Sequence, residues 1–597
     1  MSNQKNRQRF FRSASIALAL ILLLTTPALA YFNPGNGQAA ALVLGQPDFT
    51  TAALALPQNG FNYSCGVAVD PTSQKVFVAD CKYNRVLRFA SVYSLSNDNP
   101  PEAVLGQPNF TTNSAPPYPP PPTTQASMHG PHSIFVDSTG RLWVADSVNN
   151  RVLRFDHAAT LTSGANATVV LGQPNFTSHA QAVTSKGMNY PYGLFVDTGG
   201  RLWVVDRGNN RVLRFSAAAS KGNGAAADGV LGQPNFTSAS PATTPTGMNQ
   251  PTGVVGDSAG RLWVTDLNNN RTLRFDNAAA KTYGAAANGV LGQADLYSNS
   301  FPTCTSVTPP TPTQSSMCQP TGITVDNASG RLFVADSYNS RILVFDSAAG
   351  LANGGNATSV LGQPDFVTGT SGITASNLSN PVGVFYDPNA KVLWVADTSN
   401  NRVLVFGSFY PTIASSAAPD GWVLESSPTS GVGGGMGTGK IMRVGNDSAD
   451  RLYRSFVSFD TSSLPDTAVI QSVTLKILKA GKTGTDPLTL SGDFGPLTAD
   501  IQDGYFGTSS TLQKTDYQAS ASAYAVANFT AIGGGWYSLV LPPSDYGYIN
   551  LTGLTQFRLR FALDSGDKNH KADYDSFFAG AAPSADRPIL TIGYTLP

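Results

Sequence analysis

Residues 137–155 read DSTGRLWVADSVNNRVLRF; sixty residues on, 197–215 read DTGGRLWVVDRGNNRVLRF, and sixty further, 257–275 read DSAGRLWVTDLNNNRTLRF. Looser copies occupy 70–89, 326–345 and 387–406, which makes six. Self-similarity at a fixed period is the signature of a repeat architecture and outranks local propensity. Within a copy the apolar runs are short and bounded by Gly, Asn and Asp: Ile134–Val136, Leu142–Ala145, then Val152–Phe155. These are strands joined by hairpin turns. Several are apolar at successive positions, so both faces must be covered, and blades stacked face to face in a ring supply that cover.

A second motif adds a fourth strand to each repeat. It reads VLGQPNF at 104–110, 170–176 and 230–236, VLGQADL at 290–296 and VLGQPDF at 360–366. A sixth copy, VLGQPDF at 43–49, precedes the first repeat, and nothing like it follows the last. The last blade therefore ends at Phe406 without its outer strand, and Val43 to Gly45 is expected to provide it from the other end of the chain. That would close the ring non-covalently and remove an open strand edge.

The pattern Pro-x-Gly-hydrophobic-x-x-Asp, then Gly-Arg-Leu-Trp-Val-Ala-Asp, then Asn-x-Arg-Val-Leu-x-Phe resembles the NHL repeat, over roughly residues 42–406. The resemblance implies a six-bladed β-propeller with the strands of Gly66, Gly193, Gly253, Gly322 and Gly383 innermost. The second repeat departs from it, with Ser133 where the glycine belongs.

Ahead of the repeats, Lys5, Arg7, Arg9 and Arg12 form a basic start, Ile16 to Leu24 is unbroken apolar, and Pro27 with Ala28-Leu29-Ala30 gives a small-residue cleavage site. Residues 1–30 thus read as a secretory signal peptide, too short in its apolar run to span a bilayer. The expected mature chain is secreted or held at the cell surface, with no transmembrane segment. Charged residues are only 13% of the chain and the formal net charge is zero, so charge offers nothing to a nucleic acid. Four cysteines permit three pairings. Cys65 and Cys81 lie at the two ends of a predicted hairpin about Pro71-Thr72-Ser73-Gln74, and Cys304 and Cys318 bracket one Pro/Thr-rich insertion. In an oxidising compartment the expected disulfides are those two local pairs.

Each repeat also carries an aspartate (Asp80, Asp146, Asp206, Asp266, Asp336, Asp397) five residues before an arginine (Arg85, Arg151, Arg211, Arg271, Arg341, Arg402). A charge pair present in every blade points to architecture rather than to one active site. Function is better sought where the repeats differ. Just before the strand glycine the blades present Cys65, His132, Tyr192, Thr252, Thr321 and Val382. By the resemblance these lie near one mouth of the central channel, and His132, Tyr192, Thr252 and Thr321 are the candidate ligand-binding residues. Some NHL-like propellers are lyases that hold zinc with histidines from several blades. This chain has only His129, His132, His157, His179 and His570, and three converging ligands are not in prospect. There is no H-E-x-x-H or phosphate loop. No catalytic residue, resident metal or cofactor is assigned.

After 407–420, which reads as a linker, residues 421–597 form one non-repeated unit with period-two alternation, clearest at Val473, Leu475 and Ile477. A two-sheet, jelly-roll-like β-sandwich is expected. RSFVSFDTSSLPDTAVIQSVTLKIL (454–478) and DRPILTIGY (586–594) resemble the DNRLRE domains, which are similar to carbohydrate-binding modules of secreted bacterial proteins. Asp564, Asp567, Asp573 and Asp575 carry the oxygen ligands that a structural calcium takes. The whole is all-β. The function expected is non-catalytic binding or adhesion, the propeller taking a protein or glycan and the sandwich attaching to polysaccharide or cell envelope. The alternatives are a lyase or lactonase acting at the channel mouth, with the sandwich for targeting, and a structural surface component.

Overall fold

The computed structural model describes residues 32–53, 59–95, 97–112, 123–299, 311–407, 411–462, 464–490, 492–563 and 569–595. The expected signal peptide, Cys304, Asp564 and Asp567 lie outside them. Six four-stranded antiparallel sheets form the blades of a propeller. In blade 3 the strands are Pro191–Val196, Leu202–Asp206, Arg211–Phe215 and Gly229–Leu231, from the channel outwards. The VLGQ motif is the outer strand in every blade. In blade 6 that strand is Leu42–Leu44, paired antiparallel with Arg402–Phe406 through Leu42↔Val405, Val43↔Leu404 and Leu44↔Val403. The ring is closed as the motif count implies.

Blades are held apart by apolar layers and pulled together near the axis by backbone approach. A Cβ on Gly66, Gly193, Gly253, Gly322 or Gly383 would come between 2.1 and 2.7 Å from a backbone oxygen of the neighbouring blade's inner strand. No L side chain fits there. Ser133 carries the Cβ that these five positions exclude. Further out, Met128, Met188, Met248, Met317 and Leu378 are buried between blades. The sulfur or terminal carbon of each sits against the glycine of a VLGQ motif, whose φ of 82–89° only glycine adopts at ease.

The C-terminal unit is all-β, and among the described residues its layers are one curled antiparallel sheet of thirteen strands rather than two separate sheets. The cause is the fifteen-residue strand Val469–Thr483, which serves both layers. Its first part pairs with Ile589–Thr595 and Trp536–Val540; past a register shift between Lys479 and Gly481 it pairs with Asp573–Phe578. Val473, Leu475 and Ile477 point into the core, as their alternation predicts. Within 407–420, Thr412–Ala414 forms the edge strand beside Ile589–Thr595. Among the described residues no helix is long and apolar enough to cross a membrane.

Candidate ligand site at the propeller channel

The repeated charges are consumed by the architecture. In blade 3, Asp206 Oδ2 accepts from Arg211 Nε at 2.7 Å and Asn209 Nδ2 at 2.8 Å, while Oδ1 accepts from the Asn189 amide at 2.7 Å. The guanidinium goes on to donate to the carbonyls of Thr184, Gly187 and Phe236. Asp206 and Arg211 are wholly buried, and burial pushes the Asp206 carboxyl up while Arg211 pulls it down. The same ion pair stands at 2.7–2.8 Å in all six blades. The neighbouring Asn210, in the left-handed region, accepts from the Gln250 amide of the next blade at 2.7 Å. Asn401 does the same for Tyr63 across the closure, at 3.0 Å. The second arginines are staples too: Arg88, Arg154, Arg214 and Arg274 each donate to a carbonyl in the following blade.

The inner strands of all six blades wall the channel, a cavity of about 740 Å³. One end carries Asp137, Asp197, Asp257, Asp326 and Asp387, at the far ends of these strands; the other carries Cys65, His132, Tyr192, Thr252, Thr321 and Val382. The four candidate residues share that mouth but differ in what they offer. The Thr252 hydroxyl, fully buried, is engaged by Thr265 at 3.0 Å and the Pro320 carbonyl at 2.9 Å; that of Thr321 is engaged by Ser337 and the Pro381 and Val382 carbonyls. These two tie blade to blade.

His132 and Tyr192 are half-buried, and their rings stack across the Ser133 junction with centroids 4.2 Å apart and planes inclined by 22°. His132 Nε2 is 3.0 Å from the Tyr190 hydroxyl, and the Arg207 guanidinium lies 5.0 Å from the Tyr192 ring centre and 5.9 Å from that of Tyr190. Burial, then Arg207, push the His132 imidazole down to about 3, so the ring is neutral; burial raises Tyr192 to about 12. The mouth is a neutral imidazole and two phenols under one guanidinium, a surface for stacking and hydrogen bonding. Sequence reading missed Tyr190 and Arg207. The signal for Arg207 was present: after the repeated aspartate the other blades carry Cys81, Ser147, Leu267, Ser337 and Thr398.

Cys65 and Cys81 form a disulfide beside this cluster. In the C-terminal sheet a second aromatic group surrounds a cation: Arg443 lies 5.1 Å from the Trp422 and Tyr574 ring centres and 5.8 Å from that of Tyr453. Of the four aspartates compatible with calcium, Asp575 is paired with Lys479 at 2.6 Å, and Asp573 accepts from Asn569 at 2.9 Å and from the Thr485 amide.

The sequence profile of the NHL repeat matches residues 128–155, 188–215 and 317–345. Among curated proteins, NHL repeat-containing protein 2 of Bos taurus is 23% identical over 447 residues, covering 68% of this chain and 55% of its own. The Gallus gallus protein of that name is 38% identical over 90 residues, 14% of this chain and 11% of its own. The chain thus spans about half or less of the length of these relatives. Similar solved structures include virginiamycin B lyase from Staphylococcus aureus, at 15% identity and a TM-score of 0.31 over 58% of this chain and 95% of that one. An auxiliary nutrient binding protein from Bacteroides thetaiotaomicron is 12% identical, with a TM-score of 0.36 over 61% and 76%. The chain carries NHL repeats in a six-bladed propeller.

Proposed function

We propose that this is an exported, non-catalytic binding protein whose propeller takes a protein or glycan at the His132–Tyr192 mouth and whose C-terminal sheet attaches to polysaccharide. One observation carries the reading. The charges repeated in every blade hold the ring together, whereas the non-repeating His132, Tyr190, Tyr192 and Arg207 gather at one end of an open cavity. Stacked aromatic faces with a guanidinium suit a sugar ring, or an aromatic or acidic side chain. A lyase or lactonase would need a carboxylate base at this mouth, and the carboxylates repeated at this end are already held by arginine. The carbohydrate-binding resemblance of residues 421–597 and the Trp422–Tyr453–Tyr574 group around Arg443 support the second half of the reading.

A polysaccharide and protein array probed with the full chain tests both halves. Trp422→Ala with Arg443→Ala should remove polysaccharide retention, and Arg207→Ala with Tyr192→Ala should remove the propeller's ligand. Loss of all glycan binding in the channel variant, with none in the sheet variant, would refute the division of labour. N-terminal sequencing of protein recovered outside the cell should begin at Tyr31.

A further inference from the structure

We propose that Cys65, Cys81 and His132 are a redox-gated site for a thiophilic metal ion of the zinc class, closed in the disulfide form and opened by reduction. Among the described residues this is the one group of His, Cys, Asp or Glu side chains whose ligand atoms converge, all within 4.8 Å of one another. The inference goes beyond the binding reading above and does not rest on it.

Three features of the geometry fit a metal better than a disulfide that happens to lie near a histidine. First, Cys81 Sγ and His132 Nδ1 are 3.5 Å apart. A tetrahedral zinc site with Zn–S near 2.3 Å and Zn–N near 2.05 Å has an S···N edge of about 3.6 Å. Second, the cysteine Cα atoms are 6.0 Å apart, so rotating the freed side chains can set the sulfurs about 3.8 Å apart, the S···S edge of the same tetrahedron. Third, the imidazole is already oriented. Its Nε2 meets the Tyr190 hydroxyl at 3.0 Å, leaving Nδ1 directed at the sulfurs, the outer hydrogen bond that metal-ligating histidines recurrently have. Two sulfurs and one nitrogen leave a fourth position, and Cys65 and His132 both line the channel cavity, from which a water or a ligand atom can fill it.

Opening the site is a two-electron step. A dithiol-class reductant breaks the Sγ–Sγ bond, places two electrons and two protons on Cys65 and Cys81, and leaves as its own disulfide. A divalent ion then binds both thiolates and the neutral imidazole, releasing the two protons.

The test uses the full chain with Cys304→Ser and Cys318→Ser, reduced with a phosphine, freed of it under nitrogen and titrated with cobalt(II). One equivalent should bind with a thiolate-to-cobalt absorption band, and the oxidised protein should show none. Tyr190→Phe should weaken binding on the order of tenfold, and His132→Ala by more. No band in the reduced protein, or unchanged affinity in His132→Ala, overturns the site. Should the substituted protein fail to fold, the reduced wild-type chain answers by itself. One equivalent of zinc should slow alkylation at both Cys65 and Cys81, read by peptide mass; equal alkylation rates with and without zinc overturn the proposal.

Discussion

A wholly buried aspartate is tolerated in blades 2 to 6 because three partners of opposite polarity reach it at once, an arginine, an asparagine side-chain amide and a backbone amide, while in blade 1, where Tyr83 replaces the asparagine, Asp80 accepts from Arg85 and the Asn62 amide. Asp206→Ala would leave Arg211 buried and uncompensated, and should cost about 3–5 kcal/mol of propeller stability in denaturant unfolding. Arg207 follows Asp206 directly, but its guanidinium turns to the Tyr190 and Tyr192 rings and donates to Gln250 Oε1 at 3.0 Å, so Arg207→Ala should leave that stability within about 0.5 kcal/mol while acting on binding. In the C-terminal sheet, burial raises the Asp575 carboxyl to about 6, with Lys479 opposing and Asp486 adding to the shift. The folded state therefore holds a proton that the unfolded chain releases near pH 4, so unfolding free energy contributed by this group is full below that pH and falls as pH rises towards 6. Asp575→Asn should flatten that part of the stability profile in thermal melts between pH 4 and 6. The Asp-Arg recurrence was legible as architecture from its repetition alone. The fate of Thr252 and Thr321 was not. Their acceptors are carbonyls of the next blade, and whether a hydroxyl reaches one is decided by blade spacing, which no local pattern encodes.

At the scale of elements, the closing strand was readable because six outer motifs and six inner ones can match only if the first copy joins the last blade. Its register was added by the fold. Deleting residues 31–50 takes away Leu42–Leu44, the Gln46 side chain bonded to the Asn401 carbonyl at 3.0 Å, and the Phe49 carbonyl that Arg402 donates to. The whole propeller should lose stability rather than fray at one end. Hydrogen exchange checks this: amides of residues 403–405 should be protected in the intact chain and lose protection in the deletion. Fast exchange at 42–44 in the intact protein would contradict the closure. The layered all-β expectation for the last 177 residues holds, but the continuity of the two layers was not legible, because alternation reports which face of a strand is buried and says nothing of whether a fifteen-residue strand bends from one layer into the other.

At the scale of the molecule, one apolar cluster runs from the closure region into the C-terminal sheet. It includes Leu44, Val76, Val92 and Trp394 from blades 6 and 1, and Val473, Leu590 and Tyr594 from the sheet. The Tyr594 hydroxyl donates to the Tyr93 carbonyl of blade 1 at 3.1 Å. Tyr594→Phe should lower stability by about 1 kcal/mol and shift propeller and sheet unfolding together, as followed by tryptophan fluorescence and calorimetry. Separate movement of the two transitions would show that the parts fold independently.

The pairing of Leu42–Leu44 with Val403–Val405 also sets an order in time. The strand that finishes the ring is made before every other strand of the propeller, and its partner comes after five complete blades. A growing or threading chain must therefore carry an unpaired, apolar β-segment until its partner emerges. Closing so long a loop is entropically costly and makes ring closure the late, slow event of folding. During that interval the waiting segment is open to a chaperone, or to the last blade of another copy.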